Sequence, residues 1–155
     1  MAPARSDTAL GDWCVNRIVV DRQPLLLLVS SASLLAVLSP ARDVRRLPER
    51  LAALVGARLK RLGIDDRAVD AETRAMAPVV VAPPVDRSVL GIMVDYAKLV
   101  PYYLGPGRWG DETLPWAEER LAENPCFASR PFDCVIPKLK TPELLRAKWL
   151  AEGRM

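Results

Sequence analysis

The chain has 155 residues, a formal net charge of +3, 50% apolar residues and 26% charged ones. That is one domain's worth of polypeptide with ordinary soluble composition, long enough to bury a core. It contains no histidine, which excludes Ser-His-Asp and Cys-His catalysis, histidine-ligated metals and HExxH peptidases; carboxylate mechanisms survive, but catalysis is made less expected.

No apolar run approaches the roughly 18 residues that a bilayer span needs. The opening MAPARSDTALGDW has no apolar h-region, so no export signal is expected and a cytoplasmic globular protein is. Cys14, Cys126 and Cys134 form no CxxC pair, which suggests reduced thiols. Abundant Ala, Arg, Leu, Val and Pro has the character of a GC-rich bacterial gene, and that bias inflates Arg. Acids and bases are interspersed, so the basic balance is not read as a nucleic-acid surface.

Residues 1–11 are small and polar and are expected to be a disordered N-terminus. A single α+β domain is expected over residues 12–150, followed by a flexible tail at 151–155. Cys14 to Val20 is rich in β-branched residues and predicts a strand. Asp21-Arg22-Gln23-Pro24 has turn chemistry. Leu25 to Val29 is too short for a helix and apolar at every position, as a strand covered on both faces would be. Ser30 to Ser33 predicts a second turn, and Leu34 to Leu38 a third strand closed by Ser39-Pro40. Together these runs predict an antiparallel meander.

A helix is predicted from about Leu47 to Leu62, with Leu47, Leu51, Leu54, Val55, Arg58 and Leu62 along one stripe. Gly63 is a natural C-cap. Arg58, Lys60 and Arg61 read as a solvated helix end favoured by the dipole. Asp65 to Ala77 is charged and less patterned. Val79 to Val81 predicts a short strand, and Asp86 caps a helix through Val89, Met93, Tyr96 and Val100 that Pro101 ends or kinks. Gly105 to Gly110 is a loop without the Lys-Ser/Thr ending of a phosphate loop. Trp116 to Leu121 predicts a short helix and Phe132 to Ile136 a late strand. Thr141-Pro142-Glu143 opens a last helix, with Thr at the N-cap and Leu145 and Trp149 on its inner face. The fold class is therefore α+β: a small antiparallel sheet, made of the N-terminal meander plus later strands, packed against two or three helices.

The acidic pairs Asp111-Glu112 and Glu118-Glu119 read as solvated surface, because adjacent helical carboxylates diverge. Cys134, inside an apolar run, reads as core. Trp109 and Trp116 either anchor a partner or close the core beneath their loop. Gln23 is the only glutamine in the chain, and Leu25, Leu27 and Leu28 follow it. Such a pattern lets leucines fill a foreign apolar cleft while the Gln amide is held at its rim. It equally describes a core strand entered through a Pro turn, and the two readings conflict physically.

GDWCVNRIVVDRQPLLLLVSSASLLAVL, DRSVLGIMVDYAKLVPYYL and RPFDCVIPKLKTPELL together resemble a small bacterial family of uncharacterised proteins. That resemblance implies an α+β fold and no activity. The Gln-Leu segment and the histidine-free small domain also resemble SocB-like toxins, which halt replication elongation at the β sliding clamp. This resemblance implies that Gln23, Leu25, Leu27 and Leu28 bind the clamp (DnaN). It also implies that a SocA-like antitoxin delivers the chain to the ClpXP protease, and that no metal, cofactor or enzymatic activity is involved. The alternatives are a carboxylate-dependent nuclease or transferase toxin using Asp95 and Asp111, and a non-toxic accessory or antitoxin protein.

Overall fold

Strand β1 (Trp13–Val20) runs into strand β2 (Gln23–Ser30) through Asp21 and Arg22 alone. Both turn residues have positive φ, 53° and 66°, the geometry a two-residue hairpin needs to match strand twist. Gln23 and Pro24 therefore belong to β2 rather than to the turn. Strand β3 (Ala36–Pro40) pairs on the other side, giving the antiparallel order β1-β2-β3. The computed structural model describes residues 7–41, 44–83, 87–105, 109–127 and 134–150.

Both faces of β2 are covered, which is why it carries no polar alternation. Leu25, Leu27 and Val29 face a core with Val89, Met93, Tyr96 and Val100 of helix α3 (Arg87–Leu104) and Ala117 and Leu121 of helix α4 (Leu114–Ala122). Leu26 and Leu28 face the opposite way, with Val37, onto Leu47, Leu51 and Leu54 of helix α1 (Leu47–Arg61). The fold is α+β, with a three-stranded meander between helices. A two-stranded ribbon of β4 (Cys126–Phe127) and β5 (Cys134–Val135) and two further helices, α2 (Asp66–Ala75) and α5 (Pro137–Trp149), complete it.

Helix α1 ends as its sequence indicates. Gly63 has φ +88°, its N–H donates to the Lys60 carbonyl, and the Ile64 N–H donates to that of Leu59, a Schellman closure. Asp65 accepts from the Arg67 N–H and starts α2 in the charged stretch that carried no clear pattern.

Several expectations are corrected. Val79 to Val81 forms no strand, and Val80 and Val81 are exposed. Helix α3 continues through Pro101 to Leu104, and Gly105, with φ +79°, follows it. Helix α5 begins at Pro137, so Thr141 lies inside it and hydrogen-bonds Ser33 Oγ at 2.9 Å instead of capping. The expected disordered N-terminus does not extend to residue 11. Leu10 is fully buried, and the Ala9 and Leu10 N–H groups donate to Glu72 at 2.8 and 3.1 Å. Glu72 also accepts from Trp149 Nε1 at 2.8 Å, so one buried carboxylate clasps the N-terminal segment to α5. Phe132, Asp86 and the tail at 151–155 lie outside the described residues. Among the described residues, no helix is long and apolar enough to cross a membrane.

Gly91 sits in mid-helix on the exposed side of α3, and a Cβ there would meet nothing within 4 Å. Gly91→Ala is therefore expected to raise the stability of the single chain, measured at concentrations too low for association, by about 0.5–1 kcal/mol through helix propensity. A higher urea midpoint at unchanged slope is the readout.

Candidate functional site: the two edges of the sheet

The Gln-Leu segment forms the central strand of the sheet. Leu25, Leu27 and Leu28 are each 0% exposed, in the central strand of the sheet. A strand hydrogen-bonded on both sides and packed on both faces offers nothing to a foreign cleft unless the sheet opens. The leucine side chains belong to the core, so presenting them as a linear clamp-binding peptide would require β2 to leave the sheet. Gln23 differs from them. It is half-buried at the mouth of an open cleft of about 370 Å³ lined by Arg22, Pro24, Trp109, Asp111 and Glu112 among others, and among the described residues its Nε2 is enclosed without an acceptor.

The carboxylates separate by role. Asp95 lies on the exposed side of α3 and Asp111 in the exposed turn before α4. Among the described residues, no three Cys, Asp or Glu side chains converge as a metal site requires. Glu118, expected on the surface, is 1% exposed. It accepts from the Leu38 N–H at 2.8 Å and from Arg61 Nη2 at 2.6 Å, with Arg58 Nε at 3.8 Å. Arg58, expected at a solvated helix end, is 2% exposed, and burial, only partly offset by Glu118 and Glu119, pulls its pKa down. The buried ionisable groups Glu72, Arg58 and Glu118 are thus engaged inside the fold.

The thiols follow the same logic. Cys126 is buried with its Sγ 3.2 Å from Tyr96 Oη, and burial pushes its pKa up although that contact opposes the shift. A thiol held protonated is a poor nucleophile. Cys134, expected in the core, is exposed. Tyr96 Oη is 2.8 Å from the Leu34 carbonyl, to which it donates. That contact steadies a turn in which Leu34 itself has φ +65°, and desolvation raises the phenol pKa far above its ordinary value.

The two tryptophans divide between the readings offered for them. Trp109 is buried and donates from Nε1 to the Val20 carbonyl at 2.8 Å, closing the end of the sheet. Trp116 is exposed, with the Arg120 guanidinium 5.3 Å above its ring. Only the second is available to a partner.

The edges of the sheet are unequal, and sequence reasoning missed this. With Val20 opposite Gln23 across a two-residue turn, alternate residues of each strand point their N–H and C=O groups outward. On β3 those residues are Ala36, Leu38 and Pro40. Leu38 N–H is held by Glu118, Pro40 has no N–H, and α4 lies alongside. On β1 the outward residues are Val15, Arg17 and Val19. Among the described residues, no backbone hydrogen bond outside the ladder reaches them, and Val15 and Val19 are 44% and 57% exposed. Among the described residues, one edge is sealed by a buried carboxylate and a proline, and the other is open.

A small α+β domain built on a meander with one sealed and one open edge is the class this architecture defines. The chain belongs to the family described as Domain of unknown function (DUF6933), whose model matches residues 1–140. No curated protein and no solved structure gave a match.

Proposed function

We propose that this chain is a protein-binding module without chemistry of its own, and that β1 is its contact strand. The observation that carries the reading is the unequal treatment of the two edges. An open edge strand is a template for an added strand, and proteins blunt such edges unless they are used. The proposed occupant is an extended segment of a partner protein with an acidic residue between two apolar ones. The exposed Arg17 stands between Val15 and Val19 on one side of β1, so an apolar-acidic-apolar alternation complements it. A second copy paired symmetrically about Arg17 would set like charges opposite each other and is disfavoured.

The replication-inhibitor form of this reading names the partner as the β sliding clamp, with a SocA-like antitoxin and ClpXP controlling the amount of chain. Its support is the sequence resemblance. In the folded chain β1 would make the contact, since Leu25, Leu27 and Leu28 are enclosed.

The test is titration of the isotope-labelled chain with a library of extended peptides and, separately, with purified sliding clamp. Slowed hydrogen exchange at the amides of Val15, Arg17 and Val19, selection of acidic residues opposite Arg17, and loss of binding in a folded Arg17→Glu variant are expected. Binding that leaves those amides unprotected would rule out the β1 edge. Expression of the chain alone tests the toxin form: growth arrest that survives Leu27→Val but not Arg17→Glu is expected, and unaffected growth removes toxicity from the reading.

A further inference from the structure

Helix α3 is apolar around most of its circumference, yet only one side is covered. Val89, Ile92, Met93, Tyr96 and Val100 are buried, while Leu90, Val94 and Tyr102 are 36%, 55% and 79% exposed on the other side. Large apolar side chains left exposed along one side of a helix, here interspersed with the charges of Asp95 and Lys98, mark an interaction surface. What covers this one is indicated by its pattern. Gly91, Asp95, Lys98 and Tyr102 are all exposed and spaced four, three and four residues apart, along one seam of the helix. The order reads as a complementary palindrome. Turned antiparallel about a point between Tyr96 and Ala97, the helix brings Asp95 opposite Lys98 and Gly91 opposite Tyr102.

We infer that α3 is an isologous interface, packing antiparallel against α3 of a second copy of this chain. The two-fold arrangement forms two Asp95–Lys98 ion pairs flanking the axis. It sets each Tyr102 ring over Gly91, which has no side chain and where even a Cβ would meet nothing within 4 Å. Leu90 and Val94 then lie along the flank of the same seam. Among the described residues, neither Asp95 nor Lys98 has an ion-pair partner within the chain, so both charges are available to the second copy. A parallel pairing is excluded by the same residues, since it would oppose Asp95 to Asp95 and Lys98 to Lys98.

The experiment is sedimentation equilibrium of the full chain over a range of micromolar concentrations, with circular dichroism to confirm folding of each variant. The wild-type chain is expected to dimerise. Asp95→Lys is expected to weaken the dimer roughly tenfold or more by opposing like charges. The double swap Asp95→Lys with Lys98→Asp is expected to restore it. Gly91→Leu puts a branched side chain where Tyr102 would seat, starts from a Cβ that meets nothing within 4 Å in the monomer, and is expected to abolish the dimer. A wild-type chain that stays monomeric throughout would overturn the inference. So would a dimer indifferent to Asp95→Lys and Gly91→Leu, or a folded double swap that fails to recover association.

Discussion

Substitution of Glu118 by alanine is expected to destabilise the domain by about 3–5 kcal/mol, the range for removing one partner from a buried charge pair. Glu118 seals the β3 edge through the Leu38 N–H while facing Arg58 and Arg61. Arg61 is half-exposed and can turn to water, whereas Arg58 cannot, because it is 2% exposed. Truncation therefore leaves the buried, outward-pointing Leu38 N–H without its acceptor and takes from the buried Arg58 guanidinium one of its two neighbouring carboxylates, leaving it Glu119 and the Glu118 carbonyl. Glu118→Gln is expected to cost less, because the amide oxygen still accepts from Leu38. Arg58→Met combined with Glu118→Gln removes the buried charges together and is expected to recover most of the loss. Urea midpoints for the three variants are the check. A loss below about 1 kcal/mol for Glu118→Ala would show that this carboxylate does not hold the edge.

Leu27→Ala is expected to cost about 2–5 kcal/mol, and Leu28→Ala a similar amount. Both side chains are fully enclosed, but they enter different clusters, Leu27 toward α3 and α4 and Leu28 toward α1. Costs at sites that share few partners add approximately. The pair therefore removes roughly 4–10 kcal/mol from a domain whose whole stability is expected to be about 5–15 kcal/mol. Joint alanine substitution at Gln23, Leu27 and Leu28 is expected to leave a chain that is largely unfolded at 37 °C by circular dichroism. Loss of any partner in that variant would follow from unfolding. Arg17→Glu on the open edge leaves the core intact and separates binding from folding. A triple variant that stays folded with an unchanged urea midpoint would contradict the burial on which the contact strand was assigned.

Much of the fold was legible because it is local. β-branched and leucine runs between tight turns specified the meander, the 3.6-residue stripe specified α1, and Gly63 specified its end. The all-apolar β2 indicated burial on both faces. Misreadings came where a local signal was overruled by something distant. Val79 to Val81 has strand propensity, but among the described residues no strand pairs with it. Thr141-Pro142 has the form of a helix start, but Pro137 opens the helix earlier and Thr141 serves Ser33 instead. The Gln-Leu pattern fits both a core strand and a docking peptide, because both need a short run of leucines to fill an apolar space, and only packing distinguishes them.

The sequence alone determined the class: an α+β domain without histidine chemistry, its strands and helices placed by hydrophobic period and turn residues that act within a few positions. Tertiary structure alone decided which charges are inside and which edge is open. Arg58 and Glu118 look like surface residues until α1 and α4 bring them together beside β3. Burial of a charge depends on a partner supplied from sixty positions away, and no local pattern encodes that distance.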